Sequence, residues 1–243
     1  GECIDMNPLE RVRIEKAAAD CGFEMPLAEL DGTLQLRSAR FPEVVTVRPL
    51  AAEAFEVDAS NHALLRDATT LHGYASLYDT LRTLAAHART LPNRVADAFR
   101  HQTAALPRST EAERLVIQRV GQDLYRAALL DFWQGRCCVT GLALAPLLRA
   151  SHIKPWAACA SDNERLDVFN GLLLAPHVDA LFDGGWITFA DNGTLQVSDE
   201  LPPDAAVCLG LKMDWAIQGL APAHGAYLQF HRSQVFRASA PAA

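Results

Sequence analysis

The stretch from Thr110 to Phe189 constrains the fold most, because it joins a marked helix start to short segments cut to length by turn residues. Thr110 and Glu113 form a capping box, in which each side chain can satisfy the other's backbone N–H, and this fixes where a helix begins. Val116, Val120 and Leu124, with Ile117 and Ala128, then fall at helical spacing down to about Trp133. Arg136–Thr140 reads as a strand turning at Gly141, and Leu148–Ile153 as a second strand stopped by Pro155. A polar loop over 161–167 leads into Val168–Leu174, and Pro176 opens a short helix that ends at Asp183-Gly184-Gly185. Trp186–Phe189 and Leu195–Val197 flank Asp191-Asn192-Gly193 as a closing hairpin.

Upstream, residues 8–22 read as an amphipathic helix stopping near Gly22. Three β-leaning runs follow, Thr33–Leu36, Glu43–Val47 and Phe55–Val57, separated by Asp31-Gly32, Pro42 and Pro49. Helical pattern returns from Tyr74 to about Leu106, with a break at Pro92, and Pro107-Arg108-Ser109 reads as a linker. The expected class is α+β, with a small N-terminal α+β domain over 1–107 and a second domain over 108–243. The core of that second domain is expected at 134–190, followed by a C-terminal extension.

Half of the 243 residues are hydrophobic, which excludes a disordered chain. No apolar run reaches the roughly 18 residues of a membrane helix. The 22 basic and 29 acidic residues leave a net charge of −7, a field that repels nucleic acid, so contact with DNA requires a locally basic surface. One candidate lies between Arg82 and Arg136, where nine Arg stand against five acidic residues, a local balance of +4. The six Cys contain no C-x-x-C pair, which fits reduced thiols and a cytoplasmic setting.

Reactive residues concentrate between Cys137 and Asp183: Ser151-His152, then Asn170-Gly171, then His177, Asp179 and Asp183. A strand-end His could face a His/Asp set on a short helix across a hairpin. Imidazole, with an ordinary pKa of about 6.5, can take a proton from water. Imidazole and carboxylate together can hold a divalent metal.

These residues carry a resemblance. Cys137-Cys138-Val139-Thr140-Gly141, Ala150-Ser151-His152-Ile153-Lys154-Pro155-Trp156, Arg165-Leu166-Asp167, Asn170-Gly171-Leu172-Leu173-Leu174 and Asp179-Ala180-Leu181-Phe182-Asp183 resemble the HNH endonuclease family. The closest likeness is to its bacterial subgroup with a C-x-V-T-G, H-I-x-P, N-G-L-x-L and L-F-D core. The likeness covers about 112–190, and Arg119–Asp123 and Tyr227–Phe236, with His231-Arg232, are similar as well.

The resemblance implies a ββα-metal core that hydrolyses DNA phosphodiester bonds, double-stranded DNA being the favoured partner, with Mg2+ or Mn2+ and no structural zinc. His152 would be the general base, Asn170 would brace the loop, and His177 would complete the catalytic set. Two departures stand out. Ser151 occupies a position that often carries an acidic residue or a second His, and the family's closing His falls at the offset of Asp179. His177 and Asp179 lie about 200° apart around a helix, so one of them would be the metal ligand, His177 being placed first. Asp183 reads as a helix-end residue, Cys137 as buried and structural, Trp156 as a core wall, and Glu164 and Asp167 as solvated loop charges. Lys154, Arg165, Arg119, Arg126 and Arg136 are the expected DNA contacts. A restriction or defence enzyme is the leading expectation, with residues 1–107 recognising a target or partner and a homodimer as one option. A degenerate DNA-binding module and a non-specific toxin nuclease are the alternatives.

Overall fold

The computed structural model describes residues 6–91 and 94–238; the helix break expected at Pro92 lies outside them. The chain divides into two compact units, residues 1–89 and 90–243.

In the first unit, Asn7 caps α1 (Pro8–Cys21) by accepting the Leu9 N–H at 3.0 Å, and Gly22 ends the helix at φ 105°. Strands β1 (Ala28–Leu30), β2 (Thr33–Ser38), β3 (Phe41–Leu50), β4 (Ala54–Ala59) and β5 (Thr69–His72) form an antiparallel meander in chain order. Helix α2 (Gly73–Thr90) follows directly. Leu34, Leu36, Val45, Val47, Phe55 and Val57 alternate onto one buried face, and Ile14, Ala17, Leu77 and Leu81 of the two helices are buried too.

Pro42 and Pro49 were expected to bound β3, yet the strand runs through both. β2 pairs with β3 only as far as Val47, and β4 pairs with it only from Val45 onward. Each Pro therefore sits where β3 has a neighbour on one side alone, so its missing N–H breaks no ladder.

The second unit opens with α3 (Arg94–Thr103), so the division falls at 89/90 rather than at the linker expected at 107–109. The physical reason is packing. Val95, Ala96 and Phe99 of α3 share one hydrophobic core with Tyr125, Ala128 and Leu129 of α4 (Glu111–Phe132). At Gly121 an added Cβ would come within 3.3 Å of the Phe99 ring, so glycine lets the helices approach closely. The capping box at the start of α4 forms as expected, with Glu113 N–H donating to Thr110 Oγ1 at 3.2 Å and Thr110 N–H to Glu113 at 2.9 Å.

Residues 136–140 are a turn and not the expected strand. Cys137 N–H donates to Leu142 O and Gly141 N–H to Cys137 O, both at 2.9 Å, which closes the chain on itself, while Cys138 N–H reaches Leu173 O. The pairing falls instead to β6 (Arg149–His152) and, beyond the one-turn α5 (Asp162–Arg165), to β7 (Gly171–Leu174). Helix α6 (Pro176–Asp183), the hairpin of β8 (Ile187–Phe189) and β9 (Leu195–Val197), α7 (Pro203–Cys208) and α8 (Gly225–Gln234) complete the unit. Among the described residues no helix is long and apolar enough to cross a membrane.

Candidate active site

The antiparallel pair β6–β7 sets His152 opposite Gly171 and Ser151 opposite Leu172. Helix α4 packs behind the pair. A Cβ at Gly171 would fall inside van der Waals contact with Tyr125 Oη and would lie 2.7 Å from a Leu129 methyl, so only glycine allows α4 this close. Tyr125 Oη–H donates to Asn170 O at 2.9 Å, and Trp133 Nε1–H donates to Gly171 O at 3.2 Å.

His152 is held on three sides. Its ring stacks on Tyr125 at 4.1 Å and 14°, and Trp156 meets it edge-on at 5.5 Å. Its Nε2 lies 2.8 Å from Arg165 O. A carbonyl can only accept, so this bond assigns the proton to Nε2 and leaves the lone pair on Nδ1, which has no hydrogen-bond partner among the described residues. Burial lowers the His152 pKa below its ordinary value, partly opposed by the Arg165 carbonyl and the charge of Asp183. Near pH 7 the group is a neutral imidazole with one nitrogen tethered and the other open, the form that accepts a proton from water.

Asn170 is fully buried, and its amide spans the loop that follows β6. The side-chain oxygen accepts Lys154 N–H at 2.7 Å, while Nδ2 donates to Glu164 O at 3.1 Å and Lys154 O at 3.3 Å, and lies 3.4 Å from Cys159 Sγ. Asp167 accepts Phe169 N–H at 2.8 Å and Tyr227 Oη–H at 2.9 Å, closing the approach to Asn170.

Helix α6 carries His177, Asp179 and Asp183. Asp179 is half-buried, and desolvation raises its pKa. The Ser151 hydroxyl and Arg149 pull it back, while Asp183, one turn on, pushes it up. Ser151 Oγ is buried and makes no well-formed hydrogen bond, so it lies near Asp179 with bonding capacity to spare. Asp183 does end the helix, as expected, yet its charge reaches both His152 and Asp179. The four-residue spacing of Asp179 and Asp183 was the sequence signal for this pair. The ring of His177 lies 5.7 Å from that of Trp215 and lines a pocket with it.

Two carboxylates one turn apart are hard oxygen donors of the kind Mg2+ and Mn2+ take, with water and phosphate filling the remaining positions. Among the described residues no group of three His, Cys, Asp or Glu side chains converges to hold an ion by itself. The donor set therefore fits a hydrated ion carried by Asp179 and Asp183.

The cations expected at DNA divide into two kinds. Lys154 Nζ pairs with Glu164 at 2.6 Å, both partly buried. Arg165 is bound to Trp156 O, Cys159 O and Asp162, and Arg126 to Leu148 O and Ala145 O. These three hold the loops around the site. Arg119 and Arg136 are exposed and have no side-chain partner among the described residues. Glu164 and Asp167, expected as solvated charges, are instead paired, Glu164 with Lys154 inside the loop and Asp167 with the Tyr227 hydroxyl of α8.

Helix α8 fastens α6, β8 and the loop before β7, which spacing alone did not show. His231 is buried, stacks on Phe182 at 3.8 Å, donates through Nε2 to Phe182 O at 3.0 Å and accepts from Thr188 Oγ1–H through Nδ1 at 2.8 Å. Burial lowers its pKa to about 4. Arg232 donates to Phe189 O, and Lys154 Nζ lies 5.2 Å from the centre of the Phe230 ring.

Residues 137–190 match the family model of the HNH endonuclease, from the Cys137 turn through β6, β7 and α6. No curated protein matches the chain. HNH nucleases generally use a divalent metal, and the family implies a nucleic acid substrate.

Proposed function

We propose, starting from the HNH segment at residues 137–190, that the chain is a metal-dependent DNA endonuclease with His152 as its general base. The observation that carries this reading is the tether from His152 Nε2 to Arg165 O, which keeps Nδ1 unprotonated and open to a water molecule. Tyr125 fixes the ring plane, and Asn170 holds the loop that supplies the tethering carbonyl's neighbours, so the imidazole keeps one position. Asp179 and Asp183 would hold Mg2+ or Mn2+, which when bound neutralises charge on the scissile phosphate. Ser151 would orient Asp179 and not bind the ion directly. Arg119 and Arg136, exposed and unpaired among the described residues, would contact the DNA backbone. A restriction or defence role, with the first unit choosing the target, fits an acidic protein whose DNA contacts are confined to a few cations.

The test is cleavage of plasmid and of heavily modified phage DNA with Mg2+, with Mn2+ and with EDTA. His152→Ala should lower the rate by about 10^2 to 10^4, and EDTA should abolish it. Binding retained by a protein that cuts no DNA under any of these conditions would favour the degenerate module. That second reading draws on Ser151 and on the sparse set of metal-ligating side chains.

A further inference from the structure

The pocket that receives His177 lies wholly within the second unit. It is open and has a volume of about 680 Å³, within the range of small-molecule sites. Its wall combines the rings of His177 and Trp215, 5.7 Å apart and tilted by 58°, with Lys212, Asp214, Gln218 and Thr140. The wall is preformed: Trp215 N–H donates to Lys212 O, Ile217 N–H to Gly193 O and Gln218 N–H to Cys138 O. Trp215 is 8% exposed, so the fold holds its ring in place.

The charges say what kind of ligand fits. Lys212 and Asp214 are both exposed, and neither has a side-chain partner among the described residues. They cancel in net charge, so the pocket is no simple anion trap. It offers the half-buried imidazole of His177 beside a largely covered indole, one cationic donor, one anionic acceptor, an amide and a hydroxyl, which is the complement of a nucleotide. Rings stack on base faces whatever the base. A carboxylate accepts from an exocyclic amino group, as on cytosine. An ammonium suits a phosphate or a base carbonyl.

Position supplies the last argument. His177 and Asp179 are two residues apart on α6, so the helix that carries the proposed metal ligand also forms a wall of the pocket. We propose that this pocket binds an unpaired or extruded base of the substrate strand, with Asp214 favouring bases that carry an amino group. The proposal rests on the nuclease reading and adds to it a residue set that selects the nucleotide beside the cut.

The test uses the intact chain in EDTA, so that no cleavage is needed, and titrates it with dAMP, dCMP, dGMP and dTMP by calorimetry. Saturable binding is expected, with dTMP weakest. Asp214→Ala, which removes the acceptor, should erase that preference, and His177→Ala should weaken all four by about fivefold or more. His152→Ala should bind as the parent does. No binding of any nucleotide, or binding unchanged by both pocket variants, overturns the proposal even if the protein cuts DNA. Pocket-dependent binding by a protein that never cuts DNA would keep the pocket and remove the nuclease. Asp214 is exposed, so its variant tests the pocket without disturbing the core.

Discussion

At the scale of single residues, chemistry in this site depends on polar atoms held in one role each. Asn170 shows how narrow that role is, since Nδ2 faces two carbonyls and a sulfur while Oδ1 faces an N–H. Asn170→Asp keeps the shape and turns the donor into an acceptor aimed at acceptors. It should cost on the order of 3 kcal/mol of stability at pH 7, measured by urea denaturation; an Asp variant as stable as the parent would contradict this assignment. His231 gives a pH prediction. Its folded pKa of about 4 lies below the unfolded value of about 6.5, so the unfolded state binds more protons between them and stability rises with pH. The contribution is complete above about pH 6.5 and is lost as pH falls toward 4, up to about 3 kcal/mol. Comparing the parent with His231→Gln across that window isolates it, and parallel curves would refute it. The order Ser151-His152 and Asn170 was legible in the sequence because β6 ends at His152 and β7 begins just after Asn170, whereas Asp179, inside α6, was singled out only by its offset from Asn170. The pocket that His177 shares with Trp215 was not legible, since periodicity shows that it and Asp179 diverge but not what each one meets.

At the scale of elements, the decisive contact is α4 against β7. Gly171→Ala should push the helix away from the strand and cost about 1–3 kcal/mol or more, with cleavage reduced as well. Tyr125→Phe, which loses only the bond to Asn170 O, should cost about 1 kcal/mol. Melting curves of the two variants should therefore fall in that order, and the reverse order would mean that the hydroxyl, not the close approach, fixes α4. The capped start of α4, the β8–β9 hairpin and most of the first sheet were legible because caps, turns and alternation are local signals. β3 was read too short because the tolerance of Pro42 and Pro49 depends on where its neighbours stop, which is a property of the sheet. The turn at 136–140 was misread for a related reason: Cys137, Cys138 and Val139 are β-leaning, but Gly141 at φ 74° and the Cys137–Leu142 bond close them on themselves.

At the scale of the whole molecule, a net charge of −7 means that DNA binding, on the proposed function, would rest on a few exposed cations. Of the nine Arg between 82 and 136, Arg119 and Arg136 have no side-chain partner among the described residues. Removing either should weaken binding to all sequences alike and reduce the slope of log affinity against log salt by about 0.9. Arg126→Ala should instead lower stability, because two carbonyls lose their donor. Equal slopes for the parent and the Arg119→Ala, Arg136→Ala double variant would move the DNA face elsewhere.

The place of α8 in the chain has a consequence for synthesis. Strands β6 and β7 and helix α6 are complete by Asp183, but the side chains that fasten α6 and the loop before β7, Tyr227 and His231, are translated more than forty residues later. A nascent chain that has made the strand pair and its helix still lacks the clamp holding them in register with the imidazole. On the proposed function, the centre would become competent only once α8 has been made and packed against α6, well after the strand pair itself is complete.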